Sequence, residues 1–438
     1  MLGHVVRSRE SSTFFLLLFI AFTRVIALLF ASYAAILIAR IKGASDYEIG
    51  FINGFYVLAY ACSAMFFGTH SDKWGRKRVL LLSHIVAAAI SINYIFLILF
   101  AGELHIPTIL TFIGFLRILD GVFLGAFWAP LQGRLCESPE WSDGRLRYYN
   151  LSWSLGILFA NVIMSAATGV VPLPDTLFPV LAMLLIISEG IFSLNIVLML
   201  LKLQDLPKNC PSSESEIENQ VNSQTGTKKK HQSKKLSPQT KIAIFAMVIF
   251  GMLMGTLYTS IFNQFSRVSI ETLGIVNLIP WVALLDNVRF STQTVTLAIA
   301  KKPLHPKQRF LVLSGISILI LIGLAFASEF LLQTGIISFI PLVGIGGIML
   351  GLFFANGFSV IASEARPDNQ GYYQGILETI SNVGYFVGVV ISGSISDFFG
   401  YFASYTVVAS CMLGFFILIA LNPVPNTSEI KKIENQVN

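Results

Sequence analysis

The sequence contains few charged residues: Asp, Glu, Lys and Arg together make up 12% of its 438 residues. Its four cysteines are scattered and form no CxxC pair, so we interpret them as packing residues or free thiols rather than a disulfide framework or a metal site. The P-loop pattern GxxxxGK followed by Ser or Thr is absent, which argues against ATP hydrolysis within this chain. The sequence shows no nucleophile motif or histidine cluster either. We therefore expect no enzyme activity, no catalytic residues, no metal and no cofactor.

Apolar residues are abundant instead, since hydrophobic side chains make up 54% of the chain. Runs of about 20 apolar residues are typical of transmembrane helices, because in lipid every backbone polar group must bond within its own segment. The first run is too long for the core of a signal peptide, so we count it as a span. The sequence predicts an all-α polytopic membrane protein with twelve transmembrane helices, at 13–39, 49–69, 79–101, 106–135, 148–171, 177–202, 241–264, 269–300, 310–328, 333–363, 371–395 and 402–421.

Basic residues predict how these helices are oriented. If the N-terminus lies in the cytoplasm, most of the 30 Lys and Arg residues fall in cytoplasmic segments, and the outside loops hold only Arg40, Lys42 and Arg267. This is the positive-inside bias of membrane proteins. It predicts a multi-pass protein of the plasma membrane with both termini in the cytoplasm, and it explains the net charge of +6 without a nucleic-acid partner.

One polar segment interrupts the apolar pattern. Residues 203–239 are rich in Ser, Asn, Gln and Lys and nearly free of large apolar residues. Such a segment cannot bury enough surface to offset its ordering entropy, which predicts a disordered cytoplasmic linker. The linker divides the chain into an N-terminal six-helix bundle, 1–202, and a C-terminal six-helix bundle with a short cytoplasmic tail, 240–438.

The two predicted bundles also share a sequence repeat. Helix 4 contains GVFLGAFWA from Gly121, and helix 10 contains GIMLGLFFA from Gly347, with Gly, Leu, Gly, Phe and Ala in register. Paired tyrosines follow in both halves, at Tyr148 and at Tyr372. An internal duplication with a site between the copies is typical of transporters that work by alternating access.

A dense charge cluster, GTHSDKWGRKR, begins at Gly68 between predicted helices 2 and 3. It fits the pattern G-x-x-x-D-x-x-G-R-K, and in this position it resembles the signature loop of the major facilitator superfamily. The resemblance implies a cytoplasmic gating loop in which an acid at the membrane edge faces the N-terminus of helix 11. Its residues here are Gly68, Asp72, Gly75, Arg76 and Lys77. The corresponding loop between helices 8 and 9, AIAKKPLHPKQR, keeps the charge but lacks Gly and Asp in register.

This resemblance implies the major facilitator fold and a secondary active transporter that moves a small solute by alternating access, coupled to protons. Helix 5 has Ala160 and Asn161 where drug/proton antiporters have Gly-Pro, which argues against a typical multidrug efflux antiporter. That antiporter remains an alternative, as does a receptor of the same fold that does not transport. The expected partners are the solute, protons and the lipid bilayer, and we expect a monomer.

Charged residues inside predicted membrane helices cost about 2.5–3.5 kcal/mol each, so each needs a reason. Arg117 and Asp120 lie one turn apart in helix 4, and we assign them to proton coupling. Two interpretations remain open for this pair and for the similar pair in helix 8: functional groups or closed salt bridges that fix packing. The candidates for substrate binding are Arg24, Trp128, Asn150, Trp153, Tyr258, Asp286, Arg289, Asn356, Glu378 and Asn382.

Overall fold

A computed structural model describes residues 2–100, 105–136, 142–169, 174–203, 238–268, 279–299, 306–329, 335–364 and 370–422. Within these ranges the regular structure is helical, as the sequence predicts. In chain order the helices are α1 Leu2–Ile41, α2 Asp46–Trp74, α3 Arg76–Phe100, α4 Ile106–Cys136, α5 Ser142–Gly169, α6 Pro174–Lys202, α7 Pro238–Val268, α8 Ile279–Ile299, α9 Pro306–Glu329 and α10 Phe339–Glu364. A 3₁₀ turn, Gly335–Ser338, comes directly before α10. Most of the predicted linker, residues 204–237, lies outside the described residues.

The last helical segment, Gln370–Leu421, is two helices joined at a kink. Gly400 has φ 80° and ψ 172°, a non-helical conformation that only glycine adopts readily. We call the part before Gly400 α11 and the part after it α12. This break lies between the predicted helices 11 and 12.

Ten helical segments in the described residues are long and apolar enough to cross a membrane, and the tenth is the double segment that contains α11 and α12. Helix α8 is not among them, although it lies at a predicted span. It carries Asp286, Arg289 and several amide and hydroxyl side chains, which lower its hydropathy. The first ten residues of the predicted span 269–300 lie outside the described residues, so α8 is observed over 21 residues.

The sequence repeat corresponds to a repeat in helix packing. A side chain added at Gly121 of α4 would collide with the backbone oxygen of Tyr56 in α2. A side chain added at Gly347 of α10 would collide in the same way with the backbone oxygen of Arg289 in α8. The matching glycines therefore let α4 approach α2 and α10 approach α8 at backbone distance, which is the usual role of small residues in membrane helix packing.

Helices α2 and α11 pack against each other, antiparallel, along their length. Small residues make several contacts of this α2–α11 interface. The backbones of Gly50 and Gly393 meet near one end, the Thr379 hydroxyl donates to the carbonyl oxygen of Ala61 at 2.7 Å, and Gly375 lies against Ala64 beyond them. The interface joins the first six helices to the last six.

The two ends of the bundle carry different polar contacts. At the end we call the basic end, Lys77 and Lys307 donate to carbonyl oxygens at the last turns of α6 and α12. At the opposite end, Asp46 forms an ion pair with Arg40 and accepts from the Tyr401 hydroxyl at 2.8 Å. There the backbone N–H of Tyr47 also donates to Asp397, at 3.1 Å.

Candidate functional site

A central cavity of about 200 Å³ lies between the first six and the last six helices. Its wall combines aromatic and aliphatic side chains with a small number of polar groups, which is the usual make-up of small-molecule sites. Eight of the predicted site residues line it: Arg117, Trp128, Trp153, Tyr258, Asp286, Arg289, Glu378 and Asn382.

Two arginines that line the cavity, Arg117 and Arg289, each form a salt bridge within their own helix. Arg117 Nη1 lies 3.1 Å from Asp120 Oδ2 in α4, and Arg289 Nη2 lies 3.0 Å from Asp286 Oδ1 in α8. All four side chains are almost completely buried. Each pair has the i, i+3 spacing, so helix geometry keeps the two backbones of each pair one turn apart when the bundles move. This arrangement favours the interpretation as closed salt bridges, and Asp120 itself lies behind the cavity wall.

Both paired arginines also lie against aromatic rings. The guanidinium carbon of Arg117 is 3.7 Å from the ring centre of Tyr56, and that of Arg289 is 4.3 Å from the ring centre of Phe290. Such cation–π contacts stabilise a positive charge where water is scarce. The Asn53 side chain adds an acceptor 3.5 Å from Arg117, and it lines the cavity together with Tyr56 and Phe290.

Glu378 differs from the other two carboxylates because its described partners are all neutral. Its Oε2 accepts from the Tyr60 hydroxyl at 2.6 Å and from Asn382 Nδ2 at 3.4 Å, and its Oε1 accepts from Gln132 Nε2 at 2.6 Å. Gln132 in turn donates to the Tyr149 hydroxyl at 3.1 Å. These hydrogen bonds connect α11 with α2 and α4, and so join the two sets of six helices.

Arg24, which the sequence suggested as a substrate-binding residue, lies away from the cavity. It is fully buried inside the first six helices, with its guanidinium 4.7 Å from the ring centre of Phe192 and 5.6 Å from that of Phe127, and it does not line the cavity. None of its three side-chain nitrogens has a hydrogen-bond partner among the described residues. His84, whose ring lies 5.2 Å from that of Phe127, completes this cluster.

Two more predicted candidates lie outside the cavity lining. The Asn150 side chain accepts from Trp153 Nε1 at 3.1 Å, so it positions a lining residue instead of forming the wall. The Asn356 side chain accepts from Arg309 and donates to the Leu352 carbonyl oxygen at 2.6 Å. The half-buried Glu189 on α6 is not among the lining residues either.

Sequence reasoning missed several tyrosines of the site. The Tyr33 hydroxyl lies 3.1 Å from Asp286 Oδ2 and 3.0 Å from Asn161 Oδ1, and so connects α1, α5 and α8. Tyr56 and Tyr60 contact Arg117 and Glu378 as described above. The i, i+4 spacing of the two α2 tyrosines places them on one face, which is the signal that could have identified them.

The predicted gating loop is a tight turn between α2 and α3. Gly75 caps α2 with φ 91°, and its N–H donates to the Ser71 carbonyl oxygen at 3.1 Å. Arg76 is buried beside Gly133 of α4, and Lys77 Nζ donates to the Leu200 carbonyl oxygen at 3.1 Å. Gly68 lies inside α2 and accepts from Ser71, whereas the side chain of Asp72 lies outside the described part of the chain.

The loop between α8 and α9 keeps more of this arrangement than its sequence suggests. Lys307 Nζ donates to the carbonyl oxygens of Ala420 and Asn422 at 2.8 and 2.5 Å, which is what Lys77 does at the end of α6. Arg309 reaches α10, as Arg76 reaches α4. The basic contacts of the loop are therefore present in both halves, although residues 300–305 lie outside the described residues.

Comparisons with known proteins agree with this architecture. A family model described as Major Facilitator Superfamily matches residues 13–349 and 307–436. A search of curated protein sequences finds no significant match. Because the two matched ranges together cover nearly the whole chain, the family assignment does not rest on the gating loop alone.

Solved structures of similar fold include transporters for different solutes. The human organic anion transporter MFSD10 (TETRAN) has a TM-score of 0.59 and 17% identity, over 94% of this chain and 99% of that one. A POT family transporter in complex with a thioalcohol-conjugated peptide has a TM-score of 0.65 and 14% identity, over 94% and 96%. A variant of the E. coli fucose:proton symporter FucP has a TM-score of 0.59 and 13% identity, over 94% and 99%. At these identities the likeness shows the fold.

Proposed function

The chain belongs to the major facilitator superfamily, and from that premise we propose that this multi-pass membrane protein is a secondary active transporter that moves a small solute by alternating access, driven by a proton gradient. The observation that carries the proposal is the cavity of about 200 Å³ between the first six and the last six helices. A site between two repeated bundles becomes accessible from each side in turn when the bundles rock against each other.

The cavity's charges restrict the solute class. Among the described residues its charged lining side chains are Arg117, Arg289, Asp286 and Glu378, two of each sign, so this part of the wall carries no formal net charge. Aromatic rings from Trp128, Trp153, Phe290 and Phe354 supply apolar surface. A solute that is neutral or zwitterionic and carries both hydrogen-bonding groups and an apolar part fits this wall better than a strongly charged ion does.

The cavity size argues against the multidrug alternative. Pockets for drug-sized ligands span roughly 300–1,000 Å³, and this cavity is smaller. The receptor alternative also fits the cavity, but it gives no reason for a gating loop whose basic contacts recur in both halves.

We further propose that the basic end faces the cytoplasm of a cell whose plasma membrane holds the protein as a monomer. The two bundles, 1–202 and 240–438, would then be joined by a cytoplasmic linker, and the gating loop would hold the cytoplasmic side closed. The Lys77 and Lys307 contacts support this orientation, because positive charge is retained on the cytoplasmic side.

The test is solute flux in proteoliposomes that contain the purified full-length chain. Neutral sugars, zwitterionic amino acids, organic anions and lipophilic cations are offered with and without an imposed pH gradient. We expect accumulation of a neutral or zwitterionic solute that a proton ionophore abolishes. Arg289→Met, which removes a lining charge, should abolish it too, whereas Glu189→Gln on α6 should not. Binding without flux would favour the receptor, and accumulation of lipophilic cations would favour the efflux antiporter.

A further inference from the structure

We propose that Glu378 is the group that binds the coupled proton, and that its protonation loosens the contact of α11 with α2 and α4 near the basic end. This inference rests on the proposed proton-driven transport. It replaces Asp120 as the coupling residue with a carboxylate whose surroundings can change when the bundles move.

The partners of Glu378 differ from those of the other buried carboxylates. Asp120 and Asp286 each have an arginine one turn away on the same helix, and that distance does not change when one bundle moves as a rigid body against the other. Glu378 has no salt-bridge partner among the described residues. Its two shortest hydrogen bonds, both 2.6 Å, come from Tyr60 and Gln132 in the other bundle, so relative movement changes them directly.

The groups around Glu378 suit both protonation states. The ionised carboxylate accepts on both oxygens, from Tyr60, Gln132 and Asn382. The Gln132 Oε1 atom is buried and has no hydrogen-bond partner among the described residues. A half-turn of this amide would present that oxygen to the O–H of a protonated Glu378. The Tyr60 hydroxyl can donate in one state and accept in the other.

Among the described residues, the titratable groups next to this site are two tyrosines. Tyr60 faces it from α2, and Tyr149 of α5 lies beyond Gln132 of α4. On α11 itself the polar neighbour is Asn382. The protonation of Glu378 therefore depends on neutral donors and on the access of water.

The proton balance of the step is simple. A proton from one aqueous compartment forms an O–H bond with a Glu378 carboxylate oxygen and leaves that oxygen to the other compartment after the bundles have moved. In the ionised state the two bonds between bundles are charge-assisted, and such bonds are about twice as strong as neutral ones. Protonation weakens them and lets α11 separate from α2 and α4.

The first experiment uses the proton itself as the probe. Infrared difference spectra of the full chain in liposomes, recorded between acid and alkaline pH, report the carbonyl band of a buried carboxylic acid. We expect a titrating band that Glu378→Gln removes and that Glu189→Gln leaves unchanged. A band that persists in Glu378→Gln and disappears in Asp120→Asn would overturn the proposal. So would the absence of any titrating band in the unmodified protein.

The second measurement separates this inference from the proposed function. Glu378→Gln mimics the protonated side chain, so accumulation driven by a pH gradient should fall at least tenfold relative to solute exchange between equal pH values, measured on the same preparation. Proton-driven accumulation that persists in this variant would overturn the role of Glu378. An infrared band that depends on Glu378, in a protein that shows no pH-driven flux of any solute, would keep the proton site and overturn proton-driven transport.

A conservative variant covers the case in which Glu378→Gln does not fold. Tyr60→Phe keeps the carboxylate and removes one of its donors, which makes the ionised state less favourable. We expect the midpoint of the infrared titration to move to higher pH. An unchanged midpoint would contradict the assigned contact.

Discussion

The Tyr33 hydroxyl lies 3.1 Å from Asp286 Oδ2, a contact between residues 253 positions apart that joins α1 to α8. It adds a neutral donor to a carboxylate that already has Arg289 as its ion-pair partner. The contact belongs to the cavity wall, because Asp286 lines the cavity and Tyr33 is buried beside it. It therefore offers a direct measure of how strongly the two sets of six helices are held together.

Tyr33→Phe should lower the free energy of unfolding by about 1 kcal/mol, because hydrogen bonds between membrane helices average about 0.6 and reach about 1.7 kcal/mol. The measurement is the denaturation midpoint in detergent. Tyr94→Phe is the matched control, since the buried Tyr94 hydroxyl has no hydrogen-bond partner among the described residues. An equal loss in both variants would show that the effect comes from packing and not from the bond.

The Arg117–Asp120 pair should behave as a closed salt bridge in stability and as part of the site in transport. Asp120→Asn leaves a buried guanidinium without its counter-charge and should cost about 3–5 kcal/mol. Arg117→Met combined with Asp120→Leu should cost less, because only the buried Arg24 then loses the attraction of Asp120. The double variant should nevertheless not transport, because Arg117 lines the cavity. Unfolding curves and flux assays on the same preparations test both statements, and full flux in the double variant would remove Arg117 from the site.

Gly121→Ala should destabilise the protein, because the added methyl group collides with the Tyr56 backbone oxygen, which cannot rotate away. Overpacking of this kind typically costs about 1–3 kcal/mol. Gly414→Ala is the control: no atom lies within 4 Å of the added group in α12, and the smaller backbone entropy of the unfolded chain should add about 0.4–1 kcal/mol. The midpoint temperature of thermal unfolding should therefore fall for Gly121→Ala and rise for Gly414→Ala.

Arg24→Met should leave solute affinity unchanged within about twofold, because Arg24 lies inside the first six helices and does not reach the cavity. Trp153→Ala removes an aromatic wall that contacts Phe290 and Phe354, and it should weaken binding by about tenfold or more. The measurement is the dissociation constant of the solute identified by the flux assay. A large loss of solute affinity in Arg24→Met would show that Arg24 contributes to anion binding although it does not line the cavity.

The fold could be predicted from the sequence because long apolar runs have few structural solutions in lipid. The positions of the helices, the break near Gly400 and the family followed from hydropathy, glycines and one loop motif. The sequence prediction includes α8 within the span 269–300, although its polar residues lower its hydropathy below that of the other spans. Residues 269–278 of that predicted span lie outside the described residues.

The site was harder to predict from the sequence, because the position of a charged residue within a helix does not show which neighbours its side chain contacts. Arg24 and Arg117 look alike in the sequence, yet one lies inside the first six helices and the other lines the cavity. The i, i+3 spacing placed the members of each pair on one helix face, which is a local property, but it left open whether they form closed salt bridges. The bonds of Glu378 with Tyr60 and Gln132 connect residues 318 and 246 positions apart, and only the packed structure brings them together.

The small residues of the α2–α11 interface also have a kinetic consequence. When two helices interlock through large side chains, these side chains must separate before the helices can move against each other. Each such separation adds to the activation barrier of the conformational change. At Gly50 with Gly393 and at Gly375 with Ala64 the two helices meet through backbone and small side chains, so no large side chain has to disengage at these two points. Between them the hydrogen bond from Tyr60 to Glu378 has to break. A bulky residue introduced into it should slow turnover at every solute concentration while leaving the choice of solute unchanged.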